Sequence, residues 1–214
     1  MPSARRWLLC GLEIEMKNSL INAEEIVQLQ IEWTHRWHEA PTPPKTVEPW
    51  VAIERNHRMN FDLWHAEDMA RRDDLGPASV RDAKRTIDRC NQLRNDAIEE
   101  FDVRLLDQLP PAGSDAALHS ETPGMIVDRL SIMALKIYHM HIEAARESAD
   151  DEHRRKCSHK CAALKEQHDD LKRCLQVLMD ELQSGARQCK LYRQFKMYND
   201  ARLNPQLYQK PTSS

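Results

Sequence analysis

The chain has 214 residues, 30% of them charged, with a formal net charge of -3. This length allows one or two domains with a buried core, and the charge gives no overall basic character that would draw the chain to nucleic acid. Only five residues are glycine. Because sheets and tight turns usually use more, the composition favours long helices joined by short loops.

The first residues resemble the start of a secretory signal peptide. The apolar run WLLCGL is too short for such a peptide, however, and Glu13 and Glu15 interrupt it. We therefore expect residues 1–20 to be a ragged extension, with Met16 as an alternative start to Met1. No stretch reaches the ~20 apolar residues that a membrane span needs. With six scattered cysteines expected to be reduced thiols, the chain is predicted to be cytoplasmic.

Apolar residues spaced three and four apart predict six helices. Their expected bounds are 23–40, 49–74, 79–109, 122–148, 151–183 and 187–200. Ser79 is a candidate cap, Thr122 is a cap residue followed by a proline at the first helical position, and Gly185 is the expected stop of the fifth helix.

The helix at 122–148 is apolar on nearly all sides, which is typical of a helix at the centre of a bundle. The predicted fold is therefore all-α, an antiparallel bundle of five to six helices around this buried helix. We expect a single helical domain over residues 21–208 and a mobile tail over 209–214.

Three of the helices carry a row of polar residues on the side that also carries core residues, when positions are placed at 100° steps. The rows are His57, Asn60, Glu67, Asp68 and Arg71; Lys84, Asp88, Asn91, Asn95 and Asp102; and Asp128, Arg129, Ser131, Lys136 and His139. Burying an unpaired charge costs several kcal/mol, so these groups must pair or line a wet cavity. They form either a structural network that fixes helix register or a central cleft that binds a ligand.

The cleft interpretation assigns roles to the residues in the rows. In an enzyme, Glu67, Asp88 or Asp128 would be the general acid or base. The ligand-binding candidates are Asn60, Trp64, His65, Asp68, Arg71, Lys84, Asn91, Asn95, Thr122, Gly124, Arg129, Lys136 and His139. The cations among them would hold an anion, and the asparagines would orient hydroxyl groups.

The segment TPGMIVDR adds a second indication of anion binding. Thr122 caps the helix and Gly124 leaves its first turn open, so free backbone N–H groups and the positive end of the helix are available to an anion. Arg129 and Lys136 would support that anion. The structural alternative is an ordinary helix start that binds only water.

No metal site and no cofactor are predicted. His153, Cys157, His159 and Cys161 have a spacing that a soft metal can use, but the cysteines share a helical stripe with leucines, which favours packing. A Mg²⁺ ion would need carboxylate ligands. The candidates are Glu67, Asp68, Asp88 and Asp128. The interleaved Arg and Lys residues argue against a carboxylate cage.

Four segments occur in order: NFDLWHAEDMARR, KRTIDRCNQLRNDAIEEFD, TPGMIVDRLSIMALKIYHM and YRQFKMYNDARLNP. Through them the chain resembles, from about Ile21 to Tyr208, a bacterial family known only as a domain of unknown function. The resemblance implies an all-helical fold and genes near glycosyltransferases of cell-envelope polysaccharide synthesis. It implies no catalytic residues.

Two functions remain open from the sequence. The first is binding of an anionic metabolite such as a sugar phosphate or nucleotide sugar, which the protein would also convert if it is an enzyme. The second is a non-catalytic helical adaptor or scaffold partner of a glycosyltransferase, with a purely structural polar core. A binding protein should have a solvent-connected pocket where the rows meet. An adaptor should have a closed polar core and a large exposed apolar patch.

Overall fold

Five α-helices and two small strand pairs form the part of the chain that the computed structural model describes, namely residues 7–9, 12–14, 21–40, 50–191, 193 and 202–203. The elements are β1 (Trp7–Leu9), β2 (Leu12–Ile14), α1 (Ala23–Glu39), α2 (Val51–Ala70), α3 (Gly76–Leu106), β3 (Ala117–His119), α4 (Pro123–Ala145), α5 (Asp151–Gln183) and β4 (Arg187–Cys189). A single 3₁₀ turn, Asp73–Leu75, precedes α3. The prediction of an all-α fold is confirmed.

Helix α4 lies at the centre, because it packs against α1, α2, α3 and α5. The short α2–α3 and α4–α5 connections make each of these pairs antiparallel neighbours. The largest fully buried apolar side chains come from four of the helices: Ile26, Trp33, Trp37, Ile53, Leu130, Leu135 and Leu175. The expected central position of the helix at 122–148 is therefore correct.

The helix ends follow local sequence signals in most places. The Thr122 hydroxyl accepts a hydrogen bond from the backbone N–H of Met125, as its cap position predicts. At the end of α5, Gly185 has a φ of 73°, and the N–H of Ala186 donates to the carbonyl of Glu181. This is the left-handed glycine stop expected there.

The boundary between the second and third helices differs from its prediction. Helix α2 ends at Ala70 and α3 begins at Gly76, so Ser79 lies inside α3 and is not its cap. Gly76 has a φ of 81°, a conformation that suits glycine, and it redirects the chain after the 3₁₀ turn. The third helix therefore begins three residues before its predicted start at Ser79.

The predicted sixth helix is wrong at its beginning. Residues 187–189 form β4, which pairs in parallel with β3, inside the segment expected to be a loop. The reversal at Gly185 explains this, because its carbonyl accepts from the N–H of Gly113 at 3.0 Å and brings the two segments side by side. Most of the remaining predicted helix and the expected tail at 209–214 lie outside the described residues.

Two further predictions concern the N-terminal segment and membrane-spanning helices. Strands β1 and β2 pair antiparallel within the segment expected to be ragged. Within the described ranges, no helix combines the length and the apolar character that crossing a membrane requires.

The start of α4 is attached to α3 through the buried carboxylate of Asp102. The Gly124 N–H donates to Asp102 Oδ1 at 2.7 Å, and the Thr122 hydroxyl donates to Asp102 Oδ2. A Cβ atom on Gly124 would lie 2.8 Å from both carboxylate oxygens. Glycine is therefore required here for close approach rather than for an unusual backbone angle.

We expect Gly124→Ala to destabilise the protein by about 1–3 kcal/mol, because the added methyl group would displace the Asp102 carboxylate. Helix propensity alone predicts the opposite sign, since alanine is favoured over glycine by about 1 kcal/mol. Urea unfolding measures the difference. In an Asp102→Ala background the same substitution should be neutral or stabilising; an equal loss in both backgrounds would contradict this explanation.

Candidate functional site

A buried polar network joins α2, α3 and α4 around the carboxylate of Asp128. The side-chain amides of Asn56 and Asn60 each donate to Asp128 Oδ1 at 2.9 Å. Arg94 Nη1 donates to Asn60 Oδ1 at 3.0 Å and lies 3.6 Å from Asp128 Oδ2. The buried carboxylate is thus compensated by two amides and a cation, as burial of a charge demands.

The network continues through Ser131 and His57 to α1. Asn60 Nδ2 donates to Ser131 Oγ at 2.9 Å, and Ser131 Oγ lies 2.8 Å from His57 Nδ1. His57 Nε2 lies 3.0 Å from Thr34 Oγ1, which itself donates to the carbonyl of Gln30 at 2.8 Å. Because the Thr34 hydroxyl proton is used there, His57 must donate from Nε2 and accept at Nδ1.

His57 is therefore a neutral hydrogen-bonding group. Burial lowers its pKa to about 3, so the ring carries no charge near neutral pH. The part of the network around this ring is closed and satisfied, as expected of a structural element.

The second-helix row enters the interior only in its first half. Asn60 is buried, but near the solvated end of α2 Asp68 and Arg71 are exposed, and the half-buried Glu67 pairs with Arg71 at the surface. The expectation that these three line the interior is wrong. The buried side of α2 passes through Asn56, His57, Asn60, Phe61 and Ala66, and the last turn is solvated.

The third-helix row is exposed at its first two positions and becomes more buried along the helix. Lys84 and Asp88 form an ion pair at 2.8 Å in which each side chain is 64% exposed, so their predicted interior position is wrong. The buried side of α3 carries Ala83, Ile87, Cys90 and Ala97 instead, and this places the row on the flank. Asn91 and Asn95 are half-buried. On α4, Lys136 is exposed.

A cavity of about 290 Å³ lies between α3, the start of α4 and the segment after β4. Four of the predicted site residues line it, namely Asn95, Thr122, Asp128 and Arg129. Its full lining is Arg94, Asn95, Ile98, Glu99, Asp102, Ser120, Glu121, Thr122, Met125, Asp128, Arg129, Lys190 and Leu191. Through Arg94 and Asp128 the cavity adjoins the buried network.

Charges of both signs surround this cavity. Arg129 is bound by Glu121, whose two carboxylate oxygens lie 3.0 and 2.9 Å from Arg129 Nη1. Arg94 is only partly exposed, and its Nε atom is buried with no hydrogen-bond partner among the described residues. Lys190 adds a third cation to the lining.

The anion expected at the start of α4 is supplied by the protein itself. The carboxyl group of Asp102 occupies the hydrogen-bonding positions of Thr122 and Gly124. The prediction of an exogenous anion in contact with these two residues is therefore wrong. Burial raises the pKa of Asp102 to about 6, although its hydrogen bonds to Thr122 and Gly124 oppose the rise. Asp102 belongs to the third-helix row, but nothing in the sequence indicates that it reaches α4.

A cluster of histidines from three helices lies toward the other end of α4. One ring nitrogen from each of His38, His65 and His139 lies within 4.8 Å of the other two. Across the described ranges, these are the only three or more His, Cys, Asp or Glu residues placed closely enough to share a metal ion. His65 and His139 were predicted ligand-binding residues, whereas His38 was missed because the sequence does not show that the end of α1 meets them.

Aromatic rings surround the histidine cluster. Trp64 stacks on His139 with 4.5 Å between ring centroids and an interplanar angle of 4°, and Tyr138 stacks on His38 at 4.1 Å. Burial lowers the pKa of His139 to about 4 and also lowers that of His38. Both imidazole rings are therefore neutral at pH 7.

In the described ranges, neither the candidates on α5 nor the carboxylates form a group of three that could share a metal ion, although His153 Nε2 lies 3.4 Å from Cys157 Sγ. Cys157 and Cys161 are buried in the packed face of α5, as the packing interpretation predicts, while His159 is exposed. His153 Nε2 lies 3.0 Å from a carboxylate oxygen of Glu143. The four carboxylates named for Mg²⁺ likewise form no common group there.

By its fold, the protein is an all-α helical bundle with a central helix and a buried polar network. The family model described as protein of unknown function (DUF4254) matches residues 50–191. The chain belongs to that family. The match is narrower than the expected resemblance and leaves α1, with His38, outside it. No curated protein and no solved structure matches the chain.

We expect Asp128→Ala to cost about 3–5 kcal/mol of stability, because it removes the acceptor of the buried Asn56 and Asn60 amides and leaves the partly buried Arg94 without its opposite charge. Asp88→Ala is the matched control, since Asp88 is an exposed carboxylate that pairs one turn away. The control should change stability by about 0.5 kcal/mol at most. Chemical denaturation of both variants measures the contrast, and equal effects would refute the structural role of Asp128.

Asp102 should make stability pH-dependent. Its pKa of about 6 in the folded chain lies above the ordinary 3.8, so the folded chain binds more protons between these values. The free energy of unfolding therefore falls, by roughly 3 kcal/mol for this group, as the pH rises from about 4 to about 6.

Asp102→Asn removes this titration while keeping the shape of the side chain. The difference in unfolding free energy between wild type and variant should change across this pH range and be constant above about pH 7. Comparing the two proteins cancels the opposing titration of His57 and His139, whose pKa values are lowered. A difference that is independent of pH would contradict the raised pKa.

Proposed function

We propose that the cavity between α3 and α4 binds a small anionic metabolite, in particular a phosphorylated sugar. The observation that carries this proposal is the convergence of Arg94, Arg129 and Lys190 on one concave site. Guanidinium and ammonium groups bind phosphate oxygens through charge-assisted hydrogen bonds. A cavity with three such groups from three segments suits a phosphate group.

The remaining lining suits a polar ligand with hydroxyl groups. Glu121 and Asp128 offer carboxylate oxygens at the same cavity, and Ser120 offers a hydroxyl. Carboxylates accept hydrogen bonds from sugar hydroxyls, whereas they repel a bare anion. The mixture of charges therefore favours a ligand that joins an anionic group to a polyol over a simple inorganic anion.

The size of the cavity restricts the ligand further. Sites for small molecules usually have volumes of ~300–1,000 Å³, and this cavity, at about 290 Å³, is at the lower limit. A monosaccharide phosphate fits this volume better than a complete nucleotide sugar. A nucleotide sugar would extend out of the cavity.

The geometry leaves one of the three catalytic candidates at the cavity. Of Glu67, Asp88 and Asp128, only Asp128 lines the cavity. Its Oδ1 atom already accepts two amide hydrogen bonds, and an acceptor-only carboxylate suits a general base rather than an acid. If the protein transforms its ligand, Asp128 is the group that we assign to this role.

The proposed ligand class agrees with the proposed biological context. Glycosyltransferases of cell-envelope polysaccharide synthesis use activated, phosphorylated sugars. A family member that binds such a compound could store it, deliver it or convert it beside those enzymes. The family match does not name a ligand, so this context is part of the proposal.

An adaptor for a glycosyltransferase is the second candidate function. It is favoured by the closed arrangement around His57, where Thr34, Ser131 and Asn60 satisfy one another away from the cavity. Leu118 and Met125, which precede and begin α4, are exposed and offer apolar contact area. In that case the buried polar residues serve stability alone.

Ligand binding is tested by calorimetric titration with a panel of hexose phosphates, nucleotide sugars and inorganic phosphate. We expect a hexose phosphate to bind and Arg129→Ala to weaken its affinity about 10- to 100-fold, the effect of losing one charge-assisted contact of roughly 1.5–3 kcal/mol. Because Arg129 is 54% exposed, its removal should leave the fold intact.

Arg71→Ala is the matched control, since Arg71 is an exposed arginine that also pairs with a glutamate. It should leave the affinity unchanged. Equal weakening by both substitutions would indicate non-specific attraction of anions. If no compound in the panel binds, the adaptor function becomes the better proposal, and a protein partner should be sought.

A further inference from the structure

We propose that His38, His65 and His139 bind a divalent transition-metal ion, with Zn²⁺ the best match to the ligands. This site is separate from the cavity at the start of α4. Asp128 and His139 are eleven residues apart on that helix, which corresponds to about 16 Å.

The spacing of the three rings is close to what a bound ion requires. Zinc–nitrogen bonds of ~2.0–2.1 Å in a tetrahedral site place the ligand nitrogens about 3.4 Å apart. The three ring nitrogens lie within 4.8 Å of one another. Each pair therefore needs to approach by roughly 1.4 Å at most, which small rotations about side-chain bonds supply.

The hydrogen bonding of His38 is that of a metal ligand. Its Nδ1 atom lies 2.7 Å from the carbonyl oxygen of Thr34, so the proton is on Nδ1 and the lone pair is on Nε2. Metal-binding histidines usually donate their second ring N–H to a carbonyl or carboxylate in this way. The Thr34 carbonyl thus fixes both the tautomer and the orientation of the ring.

Two ring nitrogens of the histidine cluster lack other partners. His38 Nε2 and His139 Nε2 are both buried and have no hydrogen-bond partner among the described residues. Leaving a buried polar nitrogen unpaired is unfavourable. A shared metal ion satisfies both atoms at once, which packing of the rings alone does not.

The surrounding aromatic residues orient the three ligands. Trp64 stacks on His139, and Phe61 meets His38 and His65 edge-on at 4.7 and 4.6 Å between ring centroids. Such an apolar shell fixes the ring planes and limits water around a metal. Trp64 is then a positioning residue for His139.

The ligand set indicates the class of ion. Imidazole suits Zn²⁺, Cu²⁺ and Ni²⁺, whereas Mg²⁺ and Ca²⁺ prefer oxygen ligands. Three protein ligands leave a fourth position open for water or another molecule, as in catalytic zinc sites. His139 and Trp64 also line a groove of about 590 Å³ beside α5, which gives a path for the ion.

Zinc binding is tested on the full chain after removal of metals with a chelator and dialysis. We expect one tightly bound Zn²⁺ per chain by elemental analysis and calorimetry. Loss of a group that only hydrogen-bonds to a metal ligand typically weakens metal affinity 10- to 100-fold. The isosteric variants His139→Gln and His65→Gln, which each remove a ligand, should therefore weaken it by at least about 100-fold.

His141→Gln is the matched control, because His141 is an exposed histidine on the same helix. It should bind zinc as the wild type does, and so should Arg129→Ala, which concerns only the cavity. The double variant Cys157→Ser, His159→Gln tests a metal site on α5 and should also bind normally. Circular dichroism without metal verifies that each variant is folded.

A second measurement uses the wild type and does not depend on any variant folding. Bound Co²⁺ should give the visible absorption of a tetrahedral site without the thiolate charge-transfer bands that cysteine ligands produce. Bands of that kind, absence of stoichiometric zinc, or full zinc binding by His139→Gln would each overturn the proposal. The three histidines would then be an aromatic packing cluster only.

Discussion

The fold depends on how the charge of Asp128 is accommodated inside the bundle. Helix α4 is packed against four other helices, so the polar side chains on its buried faces, Asp128 and Ser131, have little access to water. Asp128 and Ser131 must therefore find partners on neighbouring helices, and they do so in Asn56 and Asn60 of α2 and Arg94 of α3. Because an unpaired buried carboxylate costs several kcal/mol, these contacts restrict the register of α2 and α3 against α4.

The sequence contains enough information for the fold class but only part of the site. Glycine scarcity and the apolar spacing of Ile26, Trp33 and Trp37 predict helices, because burial repeats with the helical period. Thr122 and Gly185 mark helix ends through local hydrogen bonding. The strand pair β3–β4 was missed because its partners, such as Leu118 and Gln188, are brought together only by the tertiary path of the chain.

The misplaced site residues share a physical cause. Helical periodicity indicates which positions lie on the same side of a helix. It does not indicate over what length of the helix a neighbouring helix buries that side. Asn60 and Arg71 share a side of the second helix, yet Asn60 lies under α4 while Arg71 lies at the solvated end. Contacts between helices, such as Asp102 with Gly124 or His38 with His139, depend on packing that a single sequence does not display.

The two candidate sites lie toward opposite ends of one central helix and are joined through Thr34 itself and the hydrogen bonds that it makes on either side. From the histidine cluster the path runs through the backbone and hydroxyl of Thr34 to His57, Ser131 and Asn60, and ends at Asp128 beside the cavity. Because the Thr34 hydroxyl proton is donated to the Gln30 carbonyl, the Thr34 hydroxyl oxygen can only accept from His57. This arrangement requires a neutral His57 ring. A protonated ring would donate from both nitrogens and would need an acceptor at Nδ1, where the Ser131 hydroxyl instead donates its proton. The residues that stabilise the bundle therefore also set the orientation of Asp128 beside the cavity and of His38 in the histidine cluster.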